Sequence, residues 1–220
     1  MSAWLLAISG TLLPVWAAVP AAPETIRVAA ERGDPAAQYR LALALLRDGA
    51  PVTDYRQAFV WMTRAADQGL APAEANLGAM YYQGVGVDTN LTQAFRWYHR
   101  AGEHGHAGAM FVLGLMHYNG EGVRQNRVDA ATWFRRAAMR GSSGAQMNLG
   151  LMYYRGDGVE FSMVRAYAWL AVAAQLGNPR ATEVRDQVWD HLAVLDRVDA
   201  TDQAQAIFEA VQRHVTENPF

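Results

Sequence analysis

Four histidines and one glutamate crowd together near the middle of the chain, and these residue types can hold a metal ion. They are His99, Glu103, His104, His106 and His117. Zinc sites place two histidines four residues apart on one helical face, or combine histidine with cysteine. Here His104 and His106 flank a glycine, which indicates a turn, and the chain has no cysteine. We therefore expect ordinary surface and turn histidines, with no metal site and no cofactor.

The composition also restricts covalent chemistry. The chain of 220 residues has no cysteine, and all 19 of its basic residues are arginine. Thiol nucleophiles, the lysine of a nucleotide-binding P-loop and lysine Schiff bases are thereby excluded. The net charge of −2 gives no basic bias toward nucleic acid. This composition favours a protein that is not an enzyme.

Three Gly-x-Gly loops invite a nucleotide-binding interpretation. They begin at Gly84, Gly120 and Gly156, but each follows a helical pattern instead of a strand and lacks the third glycine of a dinucleotide-binding motif. We interpret the loops as helix stops. Glu121 and Asp157 lie inside two of them. Because each is isolated from other acids in the sequence, we expect solvated side chains and no catalytic pair.

A period of 36 residues organises the elements that carry these side chains. Glycines recur at Gly33, Gly69, Gly105, Gly141 and Gly177, which defines four units of equal length at 33–68, 69–104, 105–140 and 141–176. We count positions within a unit from its glycine as position 1. Alanine at position 5 and leucine at position 9 share one helix face. Alanine at positions 26 and 33 and tryptophan at position 29 form a second face.

Two helices per unit are predicted, because a glycine pair separates the two faces in three of the four units. Position 22 can accept hydrogen bonds from the free N–H groups of a starting helix, since it carries Asp54, Asn90, Asn126 and Ser162. Each unit is therefore a predicted helix hairpin. One hairpin cannot bury both of its apolar faces, so the fixed period predicts a stack of hairpins, an all-α solenoid.

The pattern Ala-x3-Leu-Gly-x2-Tyr-x2-Gly-x-Gly-Val, followed by Ala-x2-Trp-x3-Ala, resembles the Sel-one-like repeat family, relatives of the tetratricopeptide repeats. The second unit carries it in full, at Ala73, Leu77, Gly78, Tyr81, Gly84, Gly86, Val87, Ala94, Trp97 and Ala101. The resemblance covers residues 33 to 176. It implies a right-handed superhelix that acts as an adaptor or regulator in protein complexes, often in the bacterial envelope. A few relatives are associated with penicillin binding or β-lactam hydrolysis, so a hydrolase of the β-lactam or cell-wall type on the same fold is the alternative.

The two ends of the chain depart from the repeat. Residues 1–22 carry no charged side chain and end in small residues, which is typical of a secretory signal peptide and predicts a periplasmic or secreted protein. An uncleaved segment would instead tether the protein to the membrane. Residues 23–32 match the end of a repeat and are predicted to form a capping helix. Residues 177–220 are predicted to form capping helices at about 179–194 and 200–215.

The remaining functional surface is the one that stacking creates. In such hairpins the first helices line a concave surface, where polar and aromatic side chains one repeat apart can hold an extended protein or peptide segment. The predicted partner-binding residues lie at positions 8, 14 and 15, and they are Arg40, Arg47, Asn76, Gln83, Asn119, Asn148, Arg155, Tyr82, Tyr118 and Tyr154. For the tyrosines, packing between repeats is an equal alternative. The sequence does not indicate an oligomeric state.

Overall fold

The structure is a computed structural model that describes residues 24–46 and 52–218. In these residues the chain forms eleven helices and no strand, and the helices are α1 (Glu24–Glu31), α2 (Pro35–Leu45), α3 (Val52–Asp67), α4 (Ala71–Gln83), α5 (Leu91–Glu103), α6 (Ala107–Asn119), α7 (Arg127–Met139), α8 (Ser143–Arg155), α9 (Met163–Gln175), α10 (Pro179–His191) and α11 (Asp196–Glu217). From α1 to α10, each helix packs against the next one in the chain. This confirms the predicted all-α solenoid of helix hairpins.

Each repeat contributes a first helix, which we call an A helix, and a second, which we call a B helix. The A helices are α2, α4, α6, α8 and α10, and the B helices are α1, α3, α5, α7 and α9. Three of the four predicted caps are present: the Asn90 side chain accepts a hydrogen bond from the backbone N–H of Gln93 at 3.0 Å, and Asn126 and Ser162 cap the next two B helices. The prediction for Asp54 is wrong, because α3 already begins at Val52 and Asp54 lies in its first turn. Local sequence thus sets where the last three B helices begin.

The glycine pairs end the A helices and also seat the loops. Gly84 follows α4 in the left-handed conformation, with φ of 74°. The second glycine has another role, since a Cβ at Gly86 would overlap the backbone carbonyl of Tyr55 at the start of α3. Gly122 and Gly158 meet the B helix of their preceding repeat in the same way. Each loop therefore rests on the repeat before it.

The core repeats with the same period. The alanines at positions 26 and 33 are fully buried, as Ala94 and Ala101 show. Trp133 and Trp169 are buried, whereas Trp97 is half-buried, with the Arg100 guanidinium 4.6 Å from its ring centre. The tryptophan position thus varies from buried core to partly exposed, although the sequence predicts the same packing role in every unit.

The C-terminal cap differs from the prediction. The two helices are α10 and α11, but α11 is longer than expected at 22 residues and starts before residue 200. It packs across α9 and reaches α7, and it does not form a fifth hairpin with α10. Ala204 of α11 packs near Ala168 and Ala171 of α9, and all three are buried. None of the described helices combines the length and apolar character that a membrane span requires.

Candidate partner-binding surface

Three A helices present the same positions in the same way because they occupy equivalent windows of the repeat. In α4, α6 and α8, position 15 is the last residue of the helix, and its side chain is exposed in each case, at Gln83, Asn119 and Arg155. Arg40 at position 8 of the first repeat is also exposed. Arg47 and residues 1–22 lie outside the described residues. At positions 8 and 15, four of the predicted residues are thus exposed to solvent.

The polar side chains predicted at position 8 do not all lie on the exposed surface. Asn76 is half-buried, and its Nδ2 donates a hydrogen bond to the Tyr39 hydroxyl of the preceding A helix at 3.0 Å. Val112 takes the same position in the third repeat and is 8% exposed. Asn76 thus joins two A helices, and its amide is already engaged.

The expectation that Asn148 lies on the exposed surface is wrong, since its side chain is only 4% exposed. Its Oδ1 is buried and accepts no hydrogen bond from the described residues. The residue one repeat earlier explains why this oxygen lacks a donor. Phe111 stands where Tyr39 stands relative to Asn76, so the hydroxyl that engages Asn76 has no counterpart here. The sequence pattern at position 8 alone cannot reveal this burial.

The tyrosines at position 14 join consecutive repeats in two of three cases. The Tyr82 hydroxyl donates to Glu121 Oε2 at 2.7 Å, and the Tyr118 hydroxyl donates to Asp157 Oδ2 at 2.9 Å. Burial, and then the Glu121 carboxylate, raises the pKa of Tyr82 to about 12. These two tyrosines therefore follow the packing alternative. Tyr154 has no such partner among the residues that the structure describes, and it is 39% exposed.

Glu121 and Asp157 are not the isolated, solvated acids that the sequence predicts. Glu121 also accepts a hydrogen bond from Asn119 Nδ2 at 3.0 Å. Asp157 forms an ion pair with Arg127 Nη1 at 2.7 Å, and the Arg127 guanidinium lies 4.5 Å from the centre of the Tyr118 ring. The signal that could have found these contacts is the constant separation of 39 residues between each tyrosine and its acid.

The histidines are dispersed among separate roles. His104 Nδ1 lies 2.7 Å from Oε2 of the fully buried Glu74, and Arg100 Nε lies 3.1 Å from the other oxygen of that carboxylate. The Nδ1 atom of His106 accepts a hydrogen bond from the Ala109 N–H at 3.1 Å and so caps α6. Within the described residues, no three histidines or acids converge in a way that could hold a metal ion.

The other two histidines lie against aromatic rings. His117 is 8% exposed and packs edge to face on Phe95 at 5.3 Å, while His99 meets the Trp133 ring at 5.4 Å. Burial lowers the pKa of both His106 and His117, because a low-dielectric environment disfavours the charged imidazolium. These side chains therefore support the fold around the junction of the second and third repeats.

Comparison with known proteins matches this geometry to one family. The model of the Sel1 repeat fits four consecutive segments, at residues 35–70, 71–106, 107–142 and 143–178. Each segment begins two residues after a unit glycine and has the predicted period. No curated protein matches the chain.

The solved structures that are similar to the chain include two Sel1-type repeat proteins. One is a protective antigen present in uropathogenic Escherichia coli strains that displays an SLR fold, with 33% identity, a TM-score of 0.75, and coverage of 90% of this chain and 44% of that one. This chain thus spans less than half of the antigen. The other is a Sel1 repeat protein from Oxalobacter formigenes, with 29% identity, a TM-score of 0.67, and coverage of 83% and 74%. The chain belongs to the Sel1 repeat family, whose repeats typically mediate protein–protein interactions.

Proposed function

We propose that this chain is an exported bacterial adaptor or regulator that binds a protein or peptide partner on the exposed face of its A helices. The observation that carries the proposal is the row of exposed polar side chains at position 15, on three successive A helices. Amide and guanidinium groups one repeat apart can bond to the backbone or carboxylates of an extended segment. The stack behind them is well packed, so binding would lose little order in the protein.

Some of the predicted residues are already engaged in contacts between repeats, which leaves fewer of them for a partner. Asn76 bonds to Tyr39, Asn148 is buried, and Tyr82 and Tyr118 bond to the next repeat. A partner would therefore meet Arg40, Gln83, Asn119, Tyr154 and Arg155 before any other predicted residue. These five define the binding face used below.

The hydrolase alternative receives no support from the contacts of the described residues. Two histidines approach carboxylates: His104 approaches Glu74, and His117 lies 3.9 Å from Asp129. In residues 24–46 and 52–218, no serine or threonine hydroxyl bonds to either histidine, as a nucleophile activated by a base would. The arrangement favours binding over hydrolysis.

Export is the second part of the proposal, and it is supported by the uncharged, apolar composition of residues 1–22. Cell fractionation of the full chain with a C-terminal tag tests it, combined with N-terminal sequencing of the mature protein. Recovery from the periplasm or medium with a new N-terminus near residue 22 is expected. Recovery in the cytoplasm with Met1 intact would contradict export.

Partner binding is tested by cross-linking in the native cell, followed by capture of the tagged chain and identification of the captured proteins by mass. The test variant combines Arg40→Ala, Gln83→Ala and Asn119→Ala on the A helices. The control combines Arg96→Ala and Thr132→Ala, both exposed on B helices. We expect a protein that is captured by the wild type and the control and lost by the test variant. Equal capture by all three would refute the binding face.

A further inference from the structure

The junctions between repeats contain a recurring recognition unit. In two of them a tyrosine at position 14 donates a hydrogen bond to an acid at position 17 of the following repeat, from Tyr82 to Glu121 and from Tyr118 to Asp157. Both acids stand between the two glycines of their loop. At both junctions, the tyrosine at position 14 thus binds a carboxylate that lies in a turn flanked by glycines.

The first junction shows that the two positions change together. There, position 14 is Leu46, which is 1% exposed, and Val85 takes the place of the acid and packs in the same apolar cluster. An apolar residue therefore meets an apolar residue, and a hydroxyl meets a carboxylate. The residue at position 17 therefore matches the residue at position 14 of the preceding repeat.

Tyr154 is the member of this series that lacks its acid. Counting 39 residues onward leads to Ala193, which is exposed, and the glycine loop of the earlier repeats is replaced by a short turn with Val194 and Leu195 exposed at 75% and 92%. Within the described ranges the Tyr154 hydroxyl forms no hydrogen bond, and its side chain is 39% exposed. The donor that is satisfied internally at two junctions is thus available at the third.

The surroundings of Tyr154 suit a negatively charged turn. Arg155, the next residue, is exposed and forms no ion pair with any residue that the structure describes, so its positive charge favours an approaching carboxylate. Phe161, 60% exposed, is in the loop that follows α8 and offers an apolar contact. Hydrogen bonds from a neutral donor to a charged acceptor are among the stronger ones in proteins.

We propose that the Tyr154 hydroxyl binds a glutamate or aspartate side chain presented by a glycine-flanked turn of the partner, at the C-terminal end of the A-helix face. The partner would supply the acid that a complete fifth repeat would have supplied. This inference rests on the proposed function, since it names the chemistry that one end of the same binding face recognises.

The test uses the chain's own loop as the probe. A peptide copying residues 117–126, HYNGEGVRQN, is titrated into the 15N-labelled full chain, and its dissociation constant is obtained from the amide shifts around Tyr154. A second peptide has glutamine in place of the central glutamate. We expect binding of the glutamate peptide to be about tenfold tighter, because loss of a hydrogen bond to a charged group costs about one factor of ten or more.

Two variants locate the contact. Tyr154→Phe removes only an exposed hydroxyl, so the thermal melt should be unchanged while affinity for the glutamate peptide falls about tenfold. Tyr167→Phe, a half-buried tyrosine of α9, is the matched control and should bind as the wild type does. Equal affinity for the two peptides, unchanged affinity of Tyr154→Phe, or no binding of either peptide at millimolar concentration would overturn the inference.

The cellular capture experiment separates this inference from the proposed function. If Tyr154→Phe captures the partner as well as the wild type does, while the variant at Arg40, Gln83 and Asn119 loses it, the binding face stands and the tyrosine site does not. Loss of the partner in both variants supports both. Capture unaffected by either change removes both proposals.

Discussion

Position 6 of the repeat shows how single side chains satisfy a buried polar group. In the first repeat Gln38 donates from Nε2 to the Ala30 carbonyl at 3.1 Å, and its Oε1 accepts from Gln68 at 2.8 Å. In the fourth repeat Gln146 makes the equivalent bond to Ala138 at 2.9 Å, but its buried Oε1 has no partner among the described residues. Leu176 stands where Gln68 stands in the first repeat, which explains the missing donor.

The change Leu176→Gln should supply that donor. A buried acceptor without a partner costs about 1 to 3 kcal/mol, so a restored bond is expected to raise the free energy of unfolding by about 1 kcal/mol, after some loss of apolar burial. Urea denaturation measures the effect. Leu176→Met keeps the size and provides no donor, so it should not stabilise the protein. Equal stability of the two variants would show that the new glutamine does not donate a hydrogen bond to Gln146.

His106 makes the start of α6 sensitive to pH. Its Nδ1 can accept the Ala109 N–H only while that nitrogen is unprotonated, and burial lowers its pKa below the usual 6.5. A lowered pKa means that the unfolded chain binds the proton more readily. The stability from this group is therefore fully present above about pH 6.5 and is lost as the pH falls toward the folded-state pKa.

The matched variant is His106→Asn, because asparagine caps a helix at any pH in this range, as Asn90 does for α5. We expect the wild type to lose more thermal stability than His106→Asn when the pH is lowered from 7.5 to 5. His117, whose pKa is lowered in the same direction, contributes equally to both proteins. Parallel loss of melting temperature in the two proteins would contradict the role of His106.

For the binding face, the sequence predicts the exposure of some side chains but not the contacts of others. The exposure of Gln83, Asn119 and Arg155 follows from helical register, because each is the last residue of its A helix. Whether the asparagine at position 8 finds a hydroxyl depends on the residue 37 positions earlier, which is Tyr39 for Asn76 and Phe111 for Asn148, and the bonding of Tyr82 depends on an acid 39 residues away. Such contacts between repeats require the spacing of the stack, which no single unit encodes.

At the scale of elements, the tryptophans set how firmly one hairpin holds the next. Trp133 is 7% exposed, touches His99 of α5, and carries the Arg136 guanidinium 4.3 Å from its ring centre. Trp97 at the same position is half-buried. The third hairpin is therefore expected to depend on its tryptophan more than the second does.

Trp133→Ala should lower the free energy of unfolding by about 3 to 5 kcal/mol, as expected when a large aromatic side chain is removed from a packed site. Trp97→Ala should cost less, since part of its ring is already in water. Denaturant titration of the two variants, with intact far-UV circular dichroism as a check on folding, measures both costs. A larger loss for Trp97→Ala would contradict the difference in burial.

Most elements could be predicted because period, caps and helix stops agree with each other. Asn90, Asn126 and Ser162 cap helices where the sequence predicts them, and the glycine pairs end the A helices. The route of α11 was not predicted. A signal exists at position 28, where Arg96 and Thr132 are exposed but Ala168 is fully buried. An alanine at a position that carries polar side chains in the two preceding repeats indicates that another helix covers it.

For the molecule as a whole, α11 closes the array by covering its last B helix. Ala204 is 6% exposed against α9, and two residues further on Ala206 is exposed. The outer face of α9 would otherwise present Ala168, Ala171 and Tyr167 to water. The terminal helix thus performs the solubilising role that a polar capping repeat performs in other solenoids.

Ala204→Arg is expected to lift α11 from α9, because a guanidinium cannot be buried there without a partner. The melting temperature should fall, and limited proteolysis should cut within 196–217. Ala206→Arg places the same charge on the exposed side of α11 and should behave as the wild type does. If both variants resist proteolysis equally, α11 does not depend on this contact.

Because each glycine loop rests on the preceding B helix, the length of the array is set in whole repeats. Gly86, Gly122 and Gly158 each pack against the start of a B helix in the repeat before them. This direct backbone contact fixes the distance between neighbouring junctions. Removal of residues 105–140 would bring Tyr82 opposite Asp157 and leave a hydroxyl facing a carboxylate. Removal of 35 or 37 residues instead would bring Gly156 or Gly158 opposite Tyr82. Such a chain can grow or shrink during evolution only by whole repeats, and its reach toward a partner changes in equal steps.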